Sequence, residues 1–197
     1  LSSSSKVEVS VFQKPKKGNY QCGDSYFYTE SDGFFVCAIA DGLGSGEHAK
    51  ESSQIVIDII QNNAGGAVGQ LVKLCNQQLA GKRGVVVGIL KLDFHAQTSS
   101  FSSIGNIGMM TINGRKKKRN IPNGGYLAGY ERPFKVVEEK LEPETNFIMF
   151  SDGVTDKELA ERYLLNDNVH TITNTFSVMS DEVRVDDTTL IAIRYEG

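Results

Sequence analysis

Strand-like apolar stretches fill most of this chain, and helical periodicity interrupts them in only two blocks. Val7, Val9 and Val11 alternate with polar residues, as on a half-buried strand. After a basic turn at Lys14–Gly18, the runs Tyr26–Tyr28 and Phe34–Ile39 flank a hairpin turn, Glu30-Ser31-Asp32-Gly33. The first helical block follows a tight loop, Ala40-Asp41-Gly42-Leu43-Gly44-Ser45-Gly46, whose glycines stop the strand. Its first helix, Glu47–Asn62, carries a stripe of Ala49, Ser52, Val56, Ile59 and Ile60. Its second, beyond Gly65-Gly66, presents Val68, Leu71, Val72, Cys75 and Leu79 on one face and stops at Gly81. Strands return at Val85–Phe94, Ser99–Ser103, Ile107–Ile112, Phe134–Leu141 and Phe147–Phe150, with Arg115–Arg119 as a basic loop or hairpin tip after Asn113-Gly114. The second helical block covers Asp156–Leu165 and the stretch around Val169, Ile172, Phe176 and Met179, and a last strand runs from Thr188 to Tyr195. This order lacks the regular alternation of a parallel α/β sheet. It predicts an α+β fold: antiparallel sheets packed together, with helices outside.

Composition sets the remaining bounds. Hydrophobic residues make up 40% of the 197, enough for one domain over 1–197 with a core that needs no disulfides. Leu1–Ser5 reads as a flexible end or a trimmed remnant rather than a signal peptide. The net charge of −3 argues for neither a nucleic-acid nor a membrane partner, and no apolar run approaches a membrane span. Cys22, Cys37 and Cys75 are widely spaced with no C-x-x-C pair, which excludes a zinc or dithiol motif and suits a reducing, cytoplasmic compartment.

Three aspartates share one kind of address. Asp41 follows the run Phe35–Ala40, Asp152 follows Phe147–Phe150, and Asp186 precedes Leu190–Ile193. If these strands are neighbours in one sheet, their ends bring the three carboxylates together. Clustered carboxylates repel, and burial makes each charge less favourable, a conflict that a divalent cation resolves. An all-oxygen ligand set suits Mg²⁺ or Mn²⁺ rather than zinc or copper. Gly42 and Gly153 let the backbone turn sharply beside an ion, and the Gly42 carbonyl is a further oxygen ligand. Asp24, at a strand edge, is placed to hold metal-bound water. Any single Asp-Gly is more often an ordinary turn, so the argument rests on the three together.

These motifs, in this order, resemble the metal-dependent protein phosphatases of the PP2C type, in their compact bacterial branch. The resemblance rests on Cys22-Gly23-Asp24-Ser25, Ala40-Asp41-Gly42-Leu43-Gly44-Ser45-Gly46, Ser103-Ile104-Gly105-Asn106, Phe150-Ser151-Asp152-Gly153-Val154-Thr155-Asp156 and Asp186-Asp187-Thr188-Thr189-Leu190, and covers about Val7 to Tyr195. Lys82-Arg83-Gly84 and Gly125-Tyr126-Leu127-Ala128-Gly129 narrow it to a branch that serves the stressosome. It implies an αββα sandwich of two mostly antiparallel sheets flanked by helices. It also implies two cations, Mn²⁺ or Mg²⁺, with Asp41 bridging both, the Gly42 carbonyl on one, Asp152 and Asp186 on the other, and Asp187 beside the site.

The implied reaction is hydrolysis of phosphoserine or phosphothreonine by cation-activated water, attacking phosphorus in line without a phosphoenzyme. The implied partners are phosphorylated STAS-domain proteins of the stressosome, dephosphorylated by a monomer as negative feedback on a general stress response. Two features depart from larger relatives: Gly23 stands where they carry Glu, and no Arg precedes Asp24 to grip the phosphate, leaving Lys14, Lys16 or Lys17 as substitutes. A phosphatase of a free anti-anti-sigma factor and a non-catalytic phosphoprotein-binding pseudophosphatase are the alternative readings. His48 is weighed as an acid for the leaving group against a solvated helix start, and Lys116–Arg119 as a docking patch against a solvated tip.

Overall fold

The computed structural model describes residues 4–180 and 183–197. Of the expected flexible end, residues 1–3 lie outside the described residues, while Ser5 Oγ donates to the Val7 carbonyl at 2.8 Å. The chain divides into two compact units.

The first unit takes in 1–22, 108–121 and 142–197. Its five-stranded sheet has the order β1 (Val7–Lys14), β10 (Thr188–Tyr195), β9 (Thr145–Phe150), β6 (Gly108–Asn113), β7 (Lys116–Arg119), with every neighbour antiparallel. One face carries Ile148, Phe150, Leu190 and Ala192 against Val169, Ile172 and Phe176 of α4 (Val169–Met179). Phe12 of β1 meets Phe176 edge-on, with ring centroids 4.9 Å apart. Asn168 caps α4 by accepting from the backbone N–H groups of His170 and Thr171.

The helix expected over Asp156–Leu165 is broken. A single turn, α3 (Asp156–Leu159), is capped reciprocally by Thr155 and Glu158. Glu161 then turns extended before a 3-10 turn at Arg162–Leu165. The break follows from partners remote in sequence. Lys117 Nζ donates to the carbonyls of Leu159 and Glu161, and Asn146 Nδ2 to those of Leu164 and Asn166.

The second unit comprises 23–107 and 122–141. Its antiparallel sheet has the order β2 (Asp24–Glu30), β3 (Phe34–Gly42), β4 (Val85–Asp93), β5 (Thr98–Ile104), β8 (Val137–Lys140). Two helices, α1 (Glu47–Asn62) and α2 (Val68–Gln78), pack Val56, Ile57, Ile60, Leu71, Val72 and Cys75 against Val36, Ala38, Val87 and Ile89. Ile57 and Ser53 join the buried stripe of α1, and Ile59 sits half-buried on its shoulder.

Two expectations change here. The strand β3 does not stop at Ile39 but runs on through Asp41 and Gly42, which pair with Val86 and Val85. Only Val137–Lys140 of the run Phe134–Leu141 joins the sheet. Lys135 instead bonds to side chains: its N–H donates to Asn123 Oδ1, and its carbonyl accepts from Ser102 Oγ.

Candidate metal centre

The carboxylates singled out from the sequence occupy two sheets, not one. Asp41 belongs to β3, whereas Asp152 and Asp186 flank β9 and β10 of the other sheet. Strand pairing sets Asp24 across from Asp41, while Asp152 and Asp186 lie in the loops that flank the paired strands β9 and β10, so no one sheet carries all three expected ligands.

In the second unit, Asp24 stands directly across from Asp41 in the β2–β3 ladder. Directly opposed residues share a face, with Cβ atoms about 4.5–5.5 Å apart. Asp24 is fully buried and Asp41 half-buried. The strand end is tied to α1. Lys50 Nζ donates to the Asp24 carbonyl at 2.9 Å, Ser53 Oγ donates to the Gly23 carbonyl at 2.9 Å, and the hydroxyls of Ser25 and Ser53 lie 2.7 Å apart. Gly42 is required by close approach, since a Cβ there would overlap the backbone carbonyl of Ala49 in α1. Leu43 N–H then donates to the Gly84 carbonyl and carries the chain into the glycine loop.

In the first unit, the register Leu190↔Phe150 brings the loop after β9 alongside the entry to β10. Ser151 pairs across to Thr189 through both its N–H and its hydroxyl. A Cβ on Gly153 would overlap the Asp187 carbonyl, so the two acidic loops touch at backbone level. Asp152 and Asp186 are exposed and Asp187 is buried. Asp186 Oδ1 accepts from Asp187 N–H at 2.8 Å, and Asp187 Oδ1 accepts from Lys16 N–H at 3.0 Å. Asp187 thus anchors the basic turn expected at Lys14–Gly18.

Sequence reasoning missed Arg184. It is 6% exposed and forks onto Glu158, with Nη1 donating to Oε2 at 2.8 Å and Nη2 to Oε1 at 3.0 Å. Burial raises the Glu158 pKa, but the hydrogen bonds from Arg184 and Thr155 and the guanidinium charge outweigh it and hold the carboxyl below its usual range. Burial, with the charges of Glu158 and Glu161, pushes the nearby Tyr163 phenol up to about 12. The only sequence signal for Arg184 was a basic residue two places before Asp186.

The other candidates resolve separately. Cys22, Cys37 and Cys75 are free and buried, and desolvation lifts the Cys37 thiol far above its usual range and that of Cys75 to about 12, so neither is a ready nucleophile. His48 is exposed in the first turn of α1. Lys116–Arg119 forms the strand β7, not a free tip. Burial lowers the Lys117 pKa, opposed by Glu161, and Arg119 Nη1 meets Asp156 Oδ1 at 2.8 Å on the surface.

The donor chemistry fits a hard divalent cation: oxygen throughout, glycines at two close backbone approaches, and an opposed pair of acidic residues in buried Asp24 and half-buried Asp41. Among the described residues no three His, Cys, Asp or Glu side chains converge, and the acidic groups come as pairs. No helix among the described residues is long and apolar enough to cross a membrane.

Comparison with known proteins agrees with the family resemblance. The family model for stage II sporulation protein E (SpoIIE) matches residues 31–196. Phosphoserine phosphatase RsbX of Bacillus subtilis (strain 168) is 32% identical over 186 residues, covering 94% of this chain and 93% of RsbX. A crystal structure of RsbX in complex with magnesium superposes with a TM-score of 0.86 at 32% identity, covering 96% of each chain. The catalytic domain of the serine/threonine phosphatase PstP with 2 manganese ions shares the fold, with a TM-score of 0.75 at 12% identity over 97% of this chain and 99% of that one. The chain belongs to the SpoIIE family of PP2C-type serine/threonine protein phosphatases.

Proposed function

We propose that this phosphatase removes phosphate from phosphoserine or phosphothreonine of STAS-domain stressosome proteins, as negative feedback on a general stress response. Kinship with the phosphoserine phosphatase RsbX over 94% of the chain supports the reaction, and with the branch-specific motifs at Lys82–Gly84 and Gly125–Gly129 it supports the substrate class. The observation that carries the site assignment is the placement of the acidic residues: Asp24 across from Asp41 in the β2–β3 ladder, and Asp152 and Asp186 on the two loops that meet where Gly153 approaches Asp187.

Residues 1–197 are proposed to work as one phosphatase domain. Asp41 with the Gly42 carbonyl, and Asp152 with Asp186, are the proposed ligands of two cations, Mn²⁺ or Mg²⁺. Bound cations supply Lewis acidity, neutralising phosphoryl oxygens and acidifying water. The chain's own contribution is positional. Asp24 would hold water near Asp41 through a hydrogen bond to its carboxylate, Asp187 fixes the turn that presents Asp186, and Gly42 and Gly153 allow the close backbone approaches to Ala49 and Asp187 that seat the two acidic segments. Lys16 and Lys17, whose backbone N–H groups dock on Asp187 and Arg184, are the proposed cationic contacts for the incoming phosphate. A monomeric, cytoplasmic enzyme without nucleic-acid or membrane partners is part of this reading, supported by the three free buried cysteines and the mildly acidic composition.

The test is Mn²⁺-dependent phosphate release from a phosphorylated stressosome STAS protein, beside a phosphorylated anti-anti-sigma factor. Release from the first should require Mn²⁺ and fall by more than about 100-fold in Asp41→Asn. Release from the second alone would keep the chemistry and move the biology. Tight binding of either phosphoprotein without release would establish a pseudophosphatase and refute catalysis.

A further inference from the structure

A buried arginine needs a reason, because removing a charge from water is unfavourable unless it is closely paired. The guanidinium of Arg184 spends its donors on three separate groups. Besides its fork onto Glu158, Nη2 donates to the Gly153 carbonyl at 2.6 Å, and Nε donates to Thr188 Oγ1 at 2.9 Å. Thr188 Oγ1 in turn donates to the Asp186 carbonyl at 3.0 Å. The guanidinium carbon lies 5.6 Å from the centroid of the Phe176 ring, which closes one side of the site. Even the Arg184 backbone is engaged, its carbonyl accepting from Lys17 N–H at 2.9 Å.

These contacts converge on atoms next to Asp152 and Asp186. Gly153 is the residue after Asp152, and Thr188 holds the carbonyl of Asp186 itself. Both carboxylates are exposed, so the distance between them is set by how rigidly their loops are joined. We infer that Arg184 is a positioning residue that fixes the separation of the Asp152 and Asp186 carboxylates, and through it the affinity of the phosphatase for its divalent cation. The inference rests on the proposal that these two aspartates hold metal. Lysine cannot substitute, since one ammonium lacks the planar fork that reaches a carboxylate, a carbonyl and a hydroxyl at once.

The experiment is an EPR titration of Mn²⁺ into the full chain, which reads binding without turnover. It compares wild type with Arg184→Lys, Glu158→Gln, Thr188→Val and Asp152→Asn, each checked for folding by circular dichroism. Arg184→Lys should weaken Mn²⁺ binding by about 10- to 100-fold, the usual loss when a group supporting a ligand is removed. The Mn²⁺ concentration for half-maximal activity should rise by the same factor, and excess Mn²⁺ should recover turnover, a pattern general destabilisation does not produce. Glu158→Gln and Thr188→Val each cut one arm of the fork, so both should fall between wild type and Arg184→Lys. They decide the matter if Arg184→Lys does not fold. Wild-type Mn²⁺ affinity in the folded Arg184 variant, or in both single-arm variants, overturns the inference while leaving the metal site intact, provided Asp152→Asn binds weakly. Undiminished binding by Asp152→Asn overturns the metal assignment and this inference with it.

Discussion

Two carboxylates directly opposed across an antiparallel ladder repel one another, and burial strengthens the repulsion by excluding the water that would screen it. Asp24 and Asp41 occupy that geometry, with Asp24 fully buried. Lys50 Nζ donates to the Asp24 backbone carbonyl at 2.9 Å. A pair like this is tolerable when a cation completes it, which leads to a test that separates function from stability. In metal-free buffer Asp24→Asn should be more stable than wild type by on the order of 1 kcal/mol, since it removes one of two like charges. Added Mn²⁺ should erase or reverse that advantage, because only the wild-type pair gains fully from the ion. Urea unfolding with EDTA and with Mn²⁺ measures both. A variant less stable than wild type in EDTA would show that the Asp24 carboxylate is already satisfied by the protein.

At the scale of elements, the end of β3 where it meets α1 matters most, because it carries Asp41 and Gly42. A methyl group at position 42 would run into the Ala49 backbone carbonyl, and Ala49 is fully buried in α1. Backbone cannot swing aside as a long side chain can, so α1 would have to lift from the sheet. Gly42→Ala should therefore destabilise the protein by about 1–3 kcal/mol, the usual cost of overpacking, read as a lower urea midpoint. An unchanged midpoint would mean that α1 is not seated on β3 as described.

The same strand end marks the limit of what was legible in the sequence. Strands and long helices were readable because each buries one stripe, and the stripe is written locally in the spacing of Val56, Ile60, Leu71 and Cys75. The extension of β3 to Gly42 was not readable, because it depends on pairing with Val85 and Val86 of β4. The break after α3 depends likewise on Lys117 of β7, which takes carbonyls a longer helix would have used. Arg184 was invisible for a related reason: a lone arginine in a polar stretch gains meaning only once Glu158 and Gly153 are placed around it.

For the whole molecule, the acidic residues identified in sequence as one group are distributed over both compact units, Asp24 and Asp41 in one, Asp152, Asp186 and Asp187 in the other. The motif order was readable, but the assignment of strands to sheets was not, since β9 and β10 pair with β6 and β1 across long separations in sequence. This distribution makes the metal reading testable through the two units separately. An ion that binds only the folded chain stabilises it by mass action, about 2.7 kcal/mol at one hundred times its dissociation constant. Local amide exchange shows where that stabilisation is felt. Mn²⁺ should slow exchange at Asp41–Leu43 in the one unit and at Asp152–Val154 in the other, since each segment carries a proposed ligand. Asp186→Asn should diminish the protection of Asp152–Val154, which lies in its own unit. Absence of protection at either segment, or unchanged protection of Asp152–Val154 when Asp186 is neutralised, would refute the ligand assignment there.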